Sequence, residues 1–330
     1  MRKKIVVFAT SFLDKLVTHP VGSGEPARLL QEAARRHALE VEFRCDRDPA
    51  DALRPQEIEG AVAVIADLEQ WDAQTLANVG RAAGGDLGLL ARYGIGYNNV
   101  DLGAAREAGV LVTNTPGASA RPTAEWTVAT LLDVAGRRVA HHNRAAAGQT
   151  KSGPSRIDVS GKTLGVIGTG TIGKHVVAMM RGFDLTVIAS DPCPDYDWAS
   201  AHDVEYLDIS ALCRRADFIT LHAAAQTQLL TATQIEQMKP TAVLVNCARG
   251  MLVDNPAVYA AVCSGALYGY GLDEVWEHAD LPLEPGINIA VSPHVGSDSD
   301  SGKLRMQQMS VAAVTAFLAG ARPQHIVNGG

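Results

Sequence analysis

Two residues in the second half of the chain have the type and position to act on an anionic substrate. Arg249 lies in NCARG, Asn246 to Gly250, and His294 lies in VSPHVGS; each follows an apolar run directly. If those runs are strands of a doubly wound sheet, both residues sit beyond carboxyl ends, where ligands of such sheets bind. A guanidinium offers a two-pronged fork to a carboxylate. A histidine titrates near neutrality and can pass a proton to or from a hydroxyl. Asp273 closes a third such run, GYGLD.

Upstream, LGVIGTGTIGKHV carries Gly168, Gly170 and Gly173 in the spacing G-x-G-x-x-G. The spacing alone is weak, but an apolar strand, Thr163 to Ile167, precedes it and an apolar-periodic helix begins at about Ile172. The first glycine permits a tight turn, the second lets backbone approach a pyrophosphate, and the third lets helix and strand pack closely. Amides at the start of the helix, including those of Thr171 and Ile172, would then face the phosphates. Asp191 ends the next run, LTVIASD, eighteen residues beyond Gly173, where a carboxylate accepts from ribose hydroxyls. No Arg or Lys occurs from Ser190 to Asp195, so NAD is expected rather than NADP.

These residues need a scaffold, and the rest of the chain reads as one. Its 330 residues suggest two domains, and its 47% hydrophobic content is enough for two cores. A net charge of -7 argues against a nucleic-acid surface. No apolar run reaches the length of a membrane span, and the N-terminal apolar run is read as a first strand, Ile5 to Ala9, rather than a signal peptide. The five cysteines are scattered with no C-x-x-C pair, so neither a disulfide framework nor a metal site is expected. Short apolar runs alternate with helical patterns: helices at Glu25 to Ala38, Asp72 to Ala83 and Asp101 to Ala108, then Thr123 to Ala147 as one long helix or two, then a second series ending in a helix at Lys303 to Leu318. That alternation predicts an α/β chain of two doubly wound parallel sheets.

Taken together, GTGTIG, MKPTAVLVNCARGMLVD, GYGLD and SPHVGS resemble the D-isomer-specific 2-hydroxyacid dehydrogenase family. RYGIGYNNVDLGAAREAGVLVTNTPG resembles its substrate-domain loop and following strand, and PTAEWTVATLLDVAGRR its domain-joining, dimerising helix. The likeness runs from about residue 60 to the C-terminus. The resemblance implies a Rossmann NAD-binding domain at 117–296, including the helix 123–147. It also implies a flavodoxin-like substrate domain in two pieces, 1–116 and 297–330. It implies an NAD-dependent homodimer acting on a small 2-oxo or D-2-hydroxy acid; the scattered, unpaired cysteines suit reduced thiols in a cytoplasmic protein. Arg249 would bind the substrate carboxylate and polarise the carbonyl, with His294 as the acid/base. Tyr93, Gly94, Ile95 and Gly96 would form the substrate loop, with amides near Ile95 and Gly96 holding the carboxylate. Asp273 would orient the nicotinamide carboxamide, and Cys247 and Ala248 would also line the cofactor site. A phosphonate, phosphite or related anion on the same scaffold is an alternative, as is a catalytically weak NAD-binding regulator.

The chain departs from the family in two places. The family's third catalytic residue is a glutamate before proline, five residues beyond the aspartate, where it bonds the histidine and raises its pKa. Here DEVWEHAD puts His278 at that spacing, or Ala279 if one residue is inserted. Glu277 and Asp280 flank it; Glu277 is the preferred substitute, and a histidine with no carboxylate partner is the other reading. The loop after FITLH is shorter and lacks proline, which implies either a more open nicotinamide pocket or a local role for His222.

Overall fold

The computed structural model describes residues 3–13, 24–45, 51–151, 153–278, 280–284 and 286–329. The chain divides into two compact units, Met1–Ser119 with Asp298–Gly330, and Ala120–Ser297.

The first unit is built on strands β1 (Lys4–Val7), β2 (Glu40–Phe43), β3 (Ala61–Ala66), β4 (Leu89–Arg92) and β5 (Leu111–Thr113), all parallel, in the order β2-β1-β3-β4-β5. Successive residues of a strand face opposite sides of the sheet, so a sheet covered on both sides needs unbroken apolar runs. The run through β1 shows this. Ile5 and Val7 pack in one cluster with Leu30 of the helix Glu25–Arg36 and with Met306 and Val314 of the helix Asp300–Leu318. Val6 and Phe8 pack in the other with Trp71, Leu76 and Ala105. Two expected helices start one residue later than their first polar residue suggested, because that residue caps them. The Asp72 carboxylate accepts from Thr75 N, and the Asp101 carboxylate from Ala104 N.

The second unit opens with two helices, Ala120–Gly136 and Arg138–Ala146, broken at Arg137, which adopts a left-handed φ of 47°. Its strands are β6 (Thr163–Ile167), β7 (Thr186–Ser190), β8 (Val204–Tyr206), β9 (Phe218–Leu221), β10 (Val243–Asn246), β11 (Gly269–Leu272) and β12 (Ile289–Val291). All pair in parallel, in the order β12-β11-β10-β9-β6-β7-β8. The strand order reverses between β6 and β9, and the crevice beyond the carboxyl ends at such a reversal is where dinucleotides bind. The expected architecture of two doubly wound parallel sheets is therefore the one observed. Among the described residues, no helix is long and apolar enough to cross a membrane.

Candidate active site

The loop after β6 stands at the strand-order reversal. Gly168 has a φ of +93°, and a Cβ there would lie 2.8 Å from both Ala223 N and His222 C. A Cβ on Gly173 would run into the Gly168 carbonyl, so that glycine lets the helix Thr171–Met180 sit against the loop. Gly170 differs from both. Its φ of −68° suits any residue, and no atom lies within 4 Å of its ideal Cβ. Neither backbone nor packing requires glycine there, whereas a phosphate brought close to the backbone does. Gly170 is also the N-cap, and no side chain caps the helix; the amides of the first turn, Thr171 and Ile172 among them, open onto the same space.

Asp191 follows β7. Its Oδ2 accepts from Thr169 N (2.7 Å) and Thr169 Oγ1 (3.1 Å), and its Oδ1 from Cys193 N (2.8 Å). The carboxylate is thus oriented by the loop it adjoins, and Oδ1, with one of its bonds taken, keeps acceptor capacity for a ribose hydroxyl. An uncapped helix start, an unfilled Gly170 cradle and an oriented carboxylate fit a nicotinamide adenine dinucleotide.

His222, at the end of β9, lies against the same loop: its N–H donates to Ile167 O at 2.7 Å. Its two ring nitrogens are buried and have no hydrogen-bond partner among the described residues. Burial pushes its pKa down from 6.5 to about 3. The native protein therefore keeps a neutral imidazole at pH values where the unfolded chain takes up a proton, so stability falls as pH drops below 6.5. Between pH 7.5 and pH 5 this residue should cost about 2 kcal/mol of folding stability. Urea titrations of the wild type and His222→Gln at the two pH values would show it as a smaller pH dependence in the variant.

The turn after β10 is built around Asn246, whose side chain is fully buried. Its Oδ1 accepts from Ala248 N (3.0 Å) and its Nδ2 donates to Arg249 O (2.8 Å), so one amide closes the turn from inside. Arg249 is half-buried, and its Nη1 donates to Ala248 O at 2.7 Å. The Gly250 N–H donates to Glu274 Oε2. Cys247, next to Asn246, is buried, and burial pushes its thiol up to about 12, so it is an apolar wall rather than a thiolate.

The turn after β12 places His294 on the surface in a left-handed conformation, φ 58°, which a non-glycine residue holds only when its surroundings impose it. Asp273, buried at the end of β11, imposes it. Its Oδ1 accepts from Ser292 Oγ (2.5 Å) and Val295 N (2.9 Å), and its Oδ2 from Gly296 N (2.7 Å). Trp126 Nε1 donates to Ser292 Oγ at 3.2 Å from the helix Ala120–Gly136. The carboxylate expected at the nicotinamide thus clamps both sides of the histidine turn.

Glu277 is exposed, and neither its side chain nor that of His294 has a hydrogen-bond partner among the described residues. His278 packs edge-on against Trp276 at 5.0 Å, Asp280 is exposed, and Ala279 lies outside the described residues. In the first unit, Tyr93 is buried, its hydroxyl accepting from Ser11 Oγ at 2.6 Å and donating to Lys303 O at 3.3 Å. Its phenol therefore fixes the loop from beneath. Gly94, at φ +140°, starts the turn, and the Gly94 and Ile95 carbonyls are taken by Thr115 N (3.0 Å) and Asn114 Nδ2 (2.9 Å). With those carbonyls tied back, the Ile95 and Gly96 amides have no acceptor among the described residues. Sequence reasoning missed Asn246, Ser292 and Glu274. Asn246 carried a signal, a polar residue closing an apolar strand two residues before an alanine-arginine pair.

Residues 128–296 match the family model for the NAD-binding domain of D-isomer specific 2-hydroxyacid dehydrogenases. A glyoxylate reductase of Korarchaeum cryptofilum is 34% identical over 254 residues, covering 73% of this chain and 76% of its own. The crystal structure of the TT0316 protein from Thermus thermophilus superposes with a TM-score of 0.79 at 30% identity, covering 98% of this chain and 99% of that one. The D-lactate dehydrogenase of Aquifex aeolicus, solved with NAD and lactic acid, shares the fold at a TM-score of 0.79 and 23% identity, over 99% of this chain and 100% of that one. With residues 128–296 matched by the family's own NAD-binding domain and 73% of its length by a glyoxylate reductase at 34% identity, the chain belongs to the D-isomer specific 2-hydroxyacid dehydrogenases and is an NAD-dependent oxidoreductase.

Proposed function

We propose that the protein interconverts a small 2-oxo acid and the corresponding D-2-hydroxy acid, with Arg249 binding the carboxylate and His294 exchanging the proton. One observation carries this. Arg249 follows β10, Asp273 follows β11 and His294 follows β12, three adjacent strands of one parallel sheet, so the residues share one edge with the Gly168 loop after β6. The names of the glyoxylate reductase and the D-lactate dehydrogenase support small 2-oxo acids as the class.

Gly168, Gly170, Thr171, Ile172, Gly173 and Asp191 would hold NAD(H), with Cys247 and Ala248 walling the site, and the bound nicotinamide would supply or accept the hydride. The Arg249 fork holds the carboxylate and places positive charge beside the substrate carbonyl, stabilising negative charge as it develops on oxygen. His294, as imidazolium, delivers a proton to that oxygen in reduction and recovers it in oxidation. Asp273 acts through the turn it clamps. The first unit has the role of substrate domain, with the Ile95 and Gly96 amides as its own anion-binding groups; Glu277 is left without a function at the imidazole. A dimer through the 123–147 region belongs to the same reading, supported by the helix Arg138–Ala146, which buries none of its residues and leaves Val139 53% exposed, as does a cytoplasmic location.

His294→Asn should lower kcat by roughly a hundredfold or more, the usual worth of a positioned acid/base. NADH affinity and competitive inhibition by a 2-oxo acid analogue should stay within about threefold of the wild type. A variant with undiminished kcat would remove His294 from proton transfer.

A further inference from the structure

We infer that Glu274 is the positioning residue for Arg249. The inference rests on the reading of Arg249 as the anion-binding residue and deepens it. The peptide unit that leaves Arg249 is held at both its polar atoms: its C=O accepts from Asn246 Nδ2 at 2.8 Å, and its N–H, that of Gly250, donates to Glu274 Oε2. Holding both ends of that peptide fixes the backbone torsion that aims the arginine side chain. Gly250 is held again at its own C=O, which accepts from Asn255 Nδ2 at 3.3 Å, and Asn255 accepts in turn from the buried Tyr270 hydroxyl at 2.9 Å.

Gly250 is buried, and a Cβ there would overlap the Glu274 carboxylate. The obstacle is the tip of a flexible side chain, so a methyl group would displace the carboxylate while leaving the fold intact. Glu274 also adjoins Asp273, whose N–H donates to Asn246 O at 3.0 Å. Two consecutive acids at the end of β11 thus hold the two functional turns, Asp273 the turn of His294 and Glu274 the turn of Arg249. The acidic residue that DEVWEHAD adds directly after the aspartate serves the arginine and not the imidazole.

The test compares Glu274→Ala, Glu274→Gln, Gly250→Ala, the Gly250→Ala/Glu274→Ala double variant and Arg249→Ala, with kcat and KM for a 2-oxo acid and the NADH dissociation constant as readouts. Glu274→Ala should raise KM at least tenfold and leave the NADH constant within twofold. Glu274→Gln keeps an acceptor oxygen for Gly250 N–H and should recover most of the loss. Gly250→Ala should reproduce Glu274→Ala, and should add less than twofold in the Glu274→Ala background, since both act through one hydrogen bond. The inference is overturned by wild-type KM in Glu274→Ala, by equal loss of NADH and substrate binding in the Ala and Gln variants, or by full multiplication in the double variant. An Arg249→Ala enzyme that keeps its kcat/KM would overturn the reading of Arg249 itself. An inactive one beside an unaffected Glu274→Ala would overturn only the role of Glu274.

Discussion

Arg249→Ala should lower kcat/KM for 2-oxo acids by at least about a thousandfold, about 4 kcal/mol of transition-state stabilisation, while NADH binds within about threefold of the wild type. The size follows from what the side chain does. It supplies a charged, two-pronged partner to the carboxylate and positive charge beside an oxygen that becomes negative, both at a half-buried position where water substitutes poorly. The selectivity follows from where it stands. The dinucleotide loop follows β6, carries its own glycines and is bonded to Asp191 after β7, and the Arg249 side chain donates to Ala248 O instead. Arg249→Lys keeps the charge and loses the fork, so it should fall between the two. Steady-state kinetics alongside fluorescence titration with NADH measure both quantities on the same preparations. Equal loss of turnover and NADH binding would mean that the arginine holds the loop and not the substrate.

Two glycines two residues apart should fail in opposite ways. Gly168→Ala should cost about 2–4 kcal/mol of folding stability, because its φ of +93° is unfavourable for alanine and its new Cβ would sit 2.8 Å from the backbone of His222 and Ala223. Gly170→Ala should change stability by no more than about 1 kcal/mol, because no atom lies within 4 Å of its Cβ and its φ is ordinary. It should nonetheless raise the NAD dissociation constant at least tenfold by putting a methyl group where the pyrophosphate approaches. Thermal or urea unfolding separates the first effect, and equilibrium NAD binding the second. If Gly170→Ala bound NAD normally, the cradle would not be the phosphate site.

Much of this was legible in the sequence because the signals are local. A parallel sheet covered on both faces needs unbroken apolar strands, so AVAVIA and FITL announce themselves. A glycine at Gly168 or Gly173 is demanded by packing against backbone, and the G-x-G-x-x-G spacing records that demand. The helix break was only half legible: 123–147 reads as one helix or two and Gly136 is a poor helix former, but it is Arg137 that turns left-handed, held there by its surroundings, its guanidinium 4.7 Å from the Tyr268 ring. The Asp273 clamp was not legible. An aspartate after a strand reads as a ligand residue or a cap, and only the fold shows it meeting Ser292, Val295 and Gly296 around twenty residues later. Family spacing falls on His278 or Ala279, so Glu277 is the expected partner of His294 only as a flanking acid; the fold leaves Glu277 exposed and directs Glu274 to Gly250. Spacing along a loop does not encode which of its side chains turns inward.

The most direct test is NADH oxidation followed at saturating cofactor across a panel of small 2-oxo acids, with phosphite and NAD in a parallel series and the chirality of each product determined. Turnover with at least one 2-oxo acid to give the D-hydroxy acid, reduced by roughly a hundredfold or more in Arg249→Ala and His294→Asn, is the expected result. Tight NADH binding with no turnover of any 2-oxo acid, or turnover of phosphite alone, would contradict it.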